Sequence, residues 1–74
     1  MSERHLAGFI ETLTCVDGRT LWWSIIEERA GAEWSIFWMG DACEVEDDAV
    51  NALAEACRKH GLTQDESGEW SRPL

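Results

Sequence analysis

The chain has 74 residues, fifteen of them acidic and six basic, which gives a formal net charge of -9 at pH 7. Phosphate contacts need lysine and arginine, so this balance argues against direct binding to nucleic acid or an anionic membrane and favours a basic partner. We expect residues 1–74 to form a single domain, because this length is near the lower limit for folding around one core.

The cysteines and the first residues of the chain bear on its location. The three cysteines, Cys15, Cys43 and Cys57, form no closely spaced pair, and their odd number does not suit a disulfide framework. The opening "MSERHLAG" is polar and unlike a signal peptide, and no apolar run approaches the roughly 20 residues of a membrane span. These features predict a reduced, cytoplasmic protein without membrane contact.

The first predicted structure is a β-hairpin. Asp17-Gly18 lies between two β-rich runs and predicts a two-residue turn. Such a turn places Leu13 opposite Trp22 and Phe9 opposite Ile26.

A second hairpin follows directly. Arg29-Ala30-Gly31 suits a three-residue loop in which Gly31 takes the left-handed conformation. That loop places Trp22 opposite Trp38. Together the two turns predict a three-stranded antiparallel meander, with strands at about residues 8–16, 19–28 and 32–39.

The hydrophobic period then changes to that of a helix. Small apolar residues recur at positions 49, 52, 53, 56 and 57. Asp41 and Glu44 suit a capping box, but the helix can equally begin nearer Glu46. Gly61 fits the position after the helix, where Leu62 can reach back to the last turn. The tail is expected to turn over residues 65–68 and to continue as a short strand or extended segment carrying Trp70. The predicted fold is therefore α+β, a three-stranded antiparallel meander with one helix on one face and this extended tail.

Alternation along the predicted strands puts large apolar residues on both faces of the sheet. One face collects Phe9, Leu13, Cys15, Trp22, Ile26, Trp34, Ile36 and Trp38. The other collects Ile10, Val16, Leu21, Trp23, Ile25, Phe37 and Met39. One helix covers one face, and we expect it on the first. The second face can be covered by the C-terminal segment with Leu62 and Trp70, by a second copy in a homodimer, or by another protein docking there.

No motif predicts catalysis, a metal or a cofactor. Structural zinc needs paired ligands at short spacing, which this chain lacks. Cys57 and His60 share a helix face, but a buried thiol beside a capping histidine explains them better than a nucleophile does. Glu11 is the one candidate for a buried carboxylate, predicted opposite Ser24 on the helix-covered face. The chain is therefore predicted not to be an enzyme.

The acidic residues are the remaining signal. Those predicted to bind a partner are Glu27, Glu28, Glu33, Asp41, Glu44, Glu46, Asp47, Asp48 and Glu55. On a helical wheel Glu44, Asp48, Asn51 and Glu55 form one stripe. Asp65, Glu66 and Glu69 form a further cluster in the tail. Acidic stripes are commonly solvated surface, but a rigid row of carboxylates can also occupy a groove of arginine and lysine built for phosphates.

In size, charge and β-β-β-α organisation the whole chain resembles the phage-encoded anti-CRISPR proteins, among them inhibitors of type I effector complexes such as type I-C. This resemblance rests on no diagnostic motif. It implies an inhibitor that docks on a Cas subunit in the host bacterial cytoplasm and blocks target DNA, with the acidic residues standing in for phosphates. The alternative is a small dimeric regulatory protein of the antitoxin or immunity type, in which the second apolar face makes the dimer and the acids only keep it in solution.

Overall fold

The computed structural model describes residues 3–74, which form one helix and a single five-stranded sheet. The elements in chain order are β1 (Arg4–Thr14), β2 (Thr20–Ala30), β3 (Glu33–Met39), α1 (Glu46–Lys59), β4 (Thr63–Gln64) and β5 (Trp70–Pro73). The strands pair antiparallel throughout, in the spatial order β3-β2-β1-β5-β4. The prediction of a three-stranded sheet is therefore wrong, although the content remains α+β.

The two additional strands come from the tail. The predicted turn is present, with the Gly68 N–H donating to the Asp65 carbonyl at 3.0 Å. The segment after the turn forms β5, which joins the sheet by pairing with β1 from Gly8↔Trp70 to His5↔Pro73. The outer edge of β1 is free in a meander that starts with β1, and β5 provides hydrogen-bonding partners for the part of that edge from His5 to Gly8. Strands of two and four residues are too short to show alternation in a sequence.

The two hairpin loops have the opposite lengths to those predicted. The first loop follows the pair Thr14–Thr20 and closes with the Cys15 N–H donating to the Arg19 carbonyl. Three residues lie between Cys15 and Arg19, and the last of them is Gly18 at φ 88°. The second pairs Ala30 with Glu33 across two residues, with Gly31 first at φ 62°. A glycine of positive φ suits a three-residue loop as its last residue and a two-residue type II′ turn as its first.

The extra residue in the first loop shifts the register of β1 by one and exchanges its faces. Phe9 lies opposite Ile25 and Thr12 opposite Trp22, so the predicted pairs Phe9–Ile26 and Leu13–Trp22 are wrong. In the second hairpin, Trp38 lies opposite Ile26 after a bulge, and the predicted pair Trp22–Trp38 is also wrong.

Helix α1 begins at Glu46, as the second of the two predicted starts has it. Its N-cap is Val45, which makes no side-chain capping bond within the described residues, so Asp41 and Glu44 form no capping box. Its end has the predicted Schellman geometry. The Leu62 N–H donates to the Cys57 carbonyl at 2.8 Å and the Gly61 N–H to the Arg58 carbonyl at 3.2 Å.

The core lies between α1 and the face of β1 and β2 that it covers. Its buried residues are Leu6, Ile26, Leu53, Ala56, Cys57 and Leu62, with Ile10, Trp38 and Trp70 packed against them. A Cβ added to Gly8 would lie 2.7 Å from the Cys57 sulfur, so the helix approaches β1 where that strand has no side chain. Among residues 3–74, no helix has the length and apolar character needed to span a membrane.

Candidate binding surfaces

Two surfaces stand out for what they leave exposed: the end of the molecule at the start of α1 and the sheet face opposite α1. We call the first the acidic end. Its carboxylates are those of Asp41, Glu44, Glu46, Asp47 and Asp48. We call the second the open face. Its apolar residues are Phe9, Leu13, Leu21, Trp23, Ile25, Trp34, Ile36 and Met39.

The acidic end is held against the sheet by its backbone. Trp22 and Cys43 exchange two backbone hydrogen bonds of 2.9 Å, an isolated bridge that fixes the segment before the helix beside the start of β2. All five carboxylate residues are exposed. Three of them, Glu46, Asp47 and Asp48, lie in the first turn of α1, where negative charge also stabilises the helix.

Arg19 is the cation that reaches the acidic end. Its guanidinium contacts Glu44 at 2.9 Å and Asp17 at 2.8 Å, with all three side chains more than half exposed. Within residues 3–74 the other four carboxylates of the acidic end form no ion pair. Exposed pairs such as Arg19–Glu44 contribute little stability singly. The acidic end therefore keeps most of its charge.

Three of the other basic residues gather at the far end of α1. Arg58 and Lys59 lie in its last turn, and the Arg72 guanidinium donates to the His60 carbonyl at 3.0 Å. A 14-residue helix is about 20 Å long, so these cations lie about that far from the first turn. The charges are thus sorted along the helix, with the negative excess at its start.

The predicted acidic stripe is only partly present, because Glu44 precedes the helix and pairs with Arg19. Asp48, Asn51 and Glu55 do lie on α1 and are exposed. The tail acids Glu66 and Glu69 are exposed at the turn between β4 and β5, away from the acidic end.

The second predicted cluster is not brought together. Glu27 and Glu28 are neighbours on β2 and so point to opposite faces of the sheet. Glu27 is 9% exposed on the open face, where Arg29 contacts it at 3.3 Å. Glu28 lies on the helix side and accepts from the Arg4 guanidinium, which raises the pKa of Arg4 through that hydrogen bond and through its charge. Glu33 alone is exposed and outside these pairs. The period of two along a strand could have indicated this separation.

Asp65 has a structural role within the turn between β4 and β5, which explains its presence there without a binding partner. Its carboxylate accepts from the Ser67 hydroxyl at 2.7 Å and from the backbone N–H groups of Ser67 and Glu69. These bonds, led by that of the Ser67 hydroxyl, lower the pKa of Asp65. This residue belongs to the structure of the turn.

None of residues 3–74 covers the open face, which is the side of the sheet opposite α1. The tail lies at the sheet edge as β5, and Leu62 and Trp70 belong to the core on the helix side, so the proposed cover by the C-terminal segment is wrong. Leu13, Trp34, Ile36 and Met39 remain 48–64% exposed. Ile25 is only 4% exposed, because its neighbours on the same face surround it.

The changed lengths of the two hairpin loops moved several predicted residues to the other face of the sheet. Phe9, Leu13, Trp34 and Ile36 lie on the open face, whereas Ile10 lies on the helix side. Phe37 falls at the bulge, and its ring meets His60 edge-on at 5.0 Å between centroids, which also places it on the helix side. Trp22 and Trp38 lie on the helix side, as predicted, and Trp38 packs against the core.

The residues considered for chemistry are not assembled into a reactive site. Cys57 is fully buried, and this burial raises its pKa to about 11, opposite to what a thiolate nucleophile needs. Glu11 is exposed and pairs across the sheet with Trp23, not with Ser24. Residues 3–74 bring together no group of histidine, cysteine and carboxylate side chains that could hold a metal ion.

Comparison of the chain with protein-family models, with curated proteins and with solved structures gives no match.

Proposed function

We propose that the protein acts without chemistry of its own, as an inhibitor whose acidic end occupies a basic, nucleic-acid-binding groove of another protein. The observation that carries this proposal is the concentration of free carboxylates at the start of α1. Five acids lie within eight residues there, and Arg19 offsets them only in part. The paired acids Glu27 and Glu28 lie elsewhere.

The geometry of the acidic end suits a phosphate mimic. A helix turn and a segment bridged to β2 hold the carboxylates, so little conformational freedom is lost when they meet a partner. When these carboxylates pair with lysine and arginine in a groove, counterions are released, as they are when nucleic acid binds there. Glu55 is exposed on the same helix and can add to this surface, whereas Glu33 pairs with Ala30 at the far end of β2 from the bridge between Trp22 and Cys43.

The partner class follows from the resemblance to anti-CRISPR proteins. On this proposal the partner is a Cas subunit of a type I effector complex, and inhibition takes place in the bacterial cytoplasm. Binding of the protein and of target DNA would then be mutually exclusive.

The experiment is displacement of labelled double-stranded DNA from a purified type I-C effector complex. We expect the unmodified protein to displace the DNA and added salt to weaken its binding. The double variant Asp41→Lys with Asp47→Lys should lose at least about tenfold in potency, since several charge pairs are removed or reversed together. Both positions are exposed, so the fold should persist, which circular dichroism checks.

The matched control is Glu66→Lys with Glu69→Lys, which changes the net charge equally at the turn between β4 and β5. This control should keep most of the potency. Equal loss in both double variants would show that net charge alone matters, and absence of displacement by the unmodified protein would contradict the proposal for this partner.

The alternative function, a small dimeric regulatory protein without DNA mimicry, is favoured by one observation, the exposed open face. It predicts that Asp41→Lys with Asp47→Lys leaves activity unchanged, whereas changes on the open face abolish it.

A further inference from the structure

We infer that the open face binds a second copy of this chain, face to face, in a two-fold dimer in which Trp34 of each copy enters a hollow of the other. This inference does not rest on the proposed function, since the acidic end lies toward the helix and stays outside the interface. It concerns the sheet face that the rest of the chain leaves exposed.

The first step is the area available. Four large apolar side chains on the open face are about half exposed or more: Leu13 at 53%, Trp34 at 64%, Ile36 at 48% and Met39 at 57%. These fractions correspond to on the order of 500 Å² of apolar surface, as large as the largest patches on ordinary monomers. Two such faces bury roughly 1,000 Å² together, near the lower end for a specific interface, so the dimer should be weak.

The second step is charge, which selects the occupant. The ionisable residues of the open face within β1–β3 are His5, Glu11, Glu27 and Arg29. Glu27 and Arg29 neutralise each other at 3.3 Å, which leaves Glu11 as the one carboxylate of the open face within β1–β3 that forms no ion pair, against four at the acidic end. A strongly basic partner is drawn to the acidic end instead. The surface that best complements the open face is another apolar, nearly neutral sheet face, and the open face of a second copy is such a surface.

The third step is shape. The open face has a hollow of about 380 Å³ at one end, lined by Leu13, Trp23, Ile25 and Met39 together with the polar residues Glu11 and Thr12. At the other end Trp34 lies opposite Arg29 and is the most exposed of the large side chains on this face. A two-fold axis that runs midway between the two sheets, parallel to them and perpendicular to their strands, exchanges these two ends. It places the Trp34 indole of each copy over the hollow of the other.

The fourth step is the effect of salt. Each copy carries a charge of -9, so two copies repel at a distance even though the open faces attract on contact. Salt screens this repulsion and leaves the apolar contact intact. Dimerisation should therefore strengthen as salt rises, whereas binding of the acidic end to a basic groove should weaken. Failure of one proposal is thus distinguishable from failure of the other.

The experiment is sedimentation equilibrium of the full chain from about 5 to 200 µM, at low salt and at about 0.5 M NaCl, where a weak interface of this size should populate dimer. We expect a monomer–dimer equilibrium that shifts toward dimer at high salt. Leu13→Glu in the hollow should raise the dissociation constant at least about tenfold. Its matched control is Val50→Glu, which adds the same charge at a residue 45% exposed on α1, and it should shift the constant less than about threefold.

A mixing experiment tests the two-fold arrangement directly. Trp34→Ala should also weaken the dimer at least about tenfold, because each hollow loses its indole. A mixture of Leu13→Glu and Trp34→Ala should associate more tightly than either variant alone. In the mixed dimer the intact Trp34 of one copy meets the intact hollow of the other.

Three results would overturn the inference. One is a monomer at 200 µM in high salt, which would leave the face to a different protein. Another is a dimer that Leu13→Glu leaves unchanged, as pairing of two β3 edges would give. The third is a folded mixture that gains nothing over its components. Circular dichroism of each variant establishes that the fold is retained.

Discussion

The two faces of the sheet receive similar side chains from β2 and end in different environments. On the helix side Ile26 is fully buried, and Leu6 is 1% exposed. On the open face Ile36 and Trp34 are about half exposed or more, and Ile25 is the buried apolar residue among the open-face residues of β1–β3. One helix of 14 residues cannot cover both sides of a sheet. Apolar residues in both phases of an alternating strand therefore indicate a second binding surface when the chain supplies a single helix.

The largest expected difference between the faces is in stability. Ile26→Ala should lower the free energy of unfolding by about 2–5 kcal/mol, because it leaves a cavity between β2 and α1. Ile36→Ala should lower it by less than about 1 kcal/mol, because that side chain is 48% exposed. Urea unfolding at low protein concentration measures both without interference from a dimer. Similar losses in the two variants would contradict the distinction between the faces.

The next effect concerns how closely the helix approaches β1. Gly8→Ala should cost about 1–3 kcal/mol, because the new methyl group would meet the Cys57 sulfur and the Leu53 side chain. Cys57→Gly, which removes the sulfur, should make the double variant less destabilised than the sum of the two single changes. Thermal unfolding of the four proteins in this cycle provides the test. Strict additivity would show that another neighbour, such as Trp70, limits the approach.

The smallest effect on the fold is expected from the chemistry of Cys57. Cys15 and Cys43 are partly exposed, so at pH 7 they should react with iodoacetamide, while Cys57 reacts only on unfolding. The folded protein raises the pKa of Cys57 to about 11, so it favours the protonated thiol. Stability is therefore unaffected below the ordinary thiol pKa of about 8.5 and declines as pH rises above it.

Mass spectrometry of the alkylated protein and urea unfolding at pH 7 and pH 10 check these expectations. Cys57→Ala is the control for the pH effect, since it removes the titrating group. Equal alkylation of all three cysteines in the native protein would contradict burial of Cys57.

The features that depend on local sequence were predictable. The spacing of small apolar residues predicts α1, and Gly61 with Leu62 predicts its Schellman end, because both depend on contacts within one or two turns. The register of β1 was not predictable from Asp17-Gly18, since a positive-φ glycine serves loops of two or three residues. A difference of one residue in the loop decides on which face of the sheet Phe9 lies.

The candidate surfaces divide in the same way. Exposure of the acidic end follows from its composition and its place at a helix start. The ion pairs of Glu27 with Arg29 and of Glu28 with Arg4 depend on strand pairing, although alternation alone separates the two glutamates. The tail predicted an extended segment carrying Trp70 but not its pairing with β1, because that partner strand lies more than sixty residues earlier in the chain.

The sorting of charge along α1 affects the approach of any charged molecule before contact. Carboxylates and cations about 20 Å apart give the protein a permanent electric moment, in addition to its net charge. In the field of a basic surface the molecule turns its negative pole forward while still diffusing, which raises the fraction of productive collisions. Association with such a surface should therefore be fast at low ionic strength and slow markedly in salt, even where the final contacts are few.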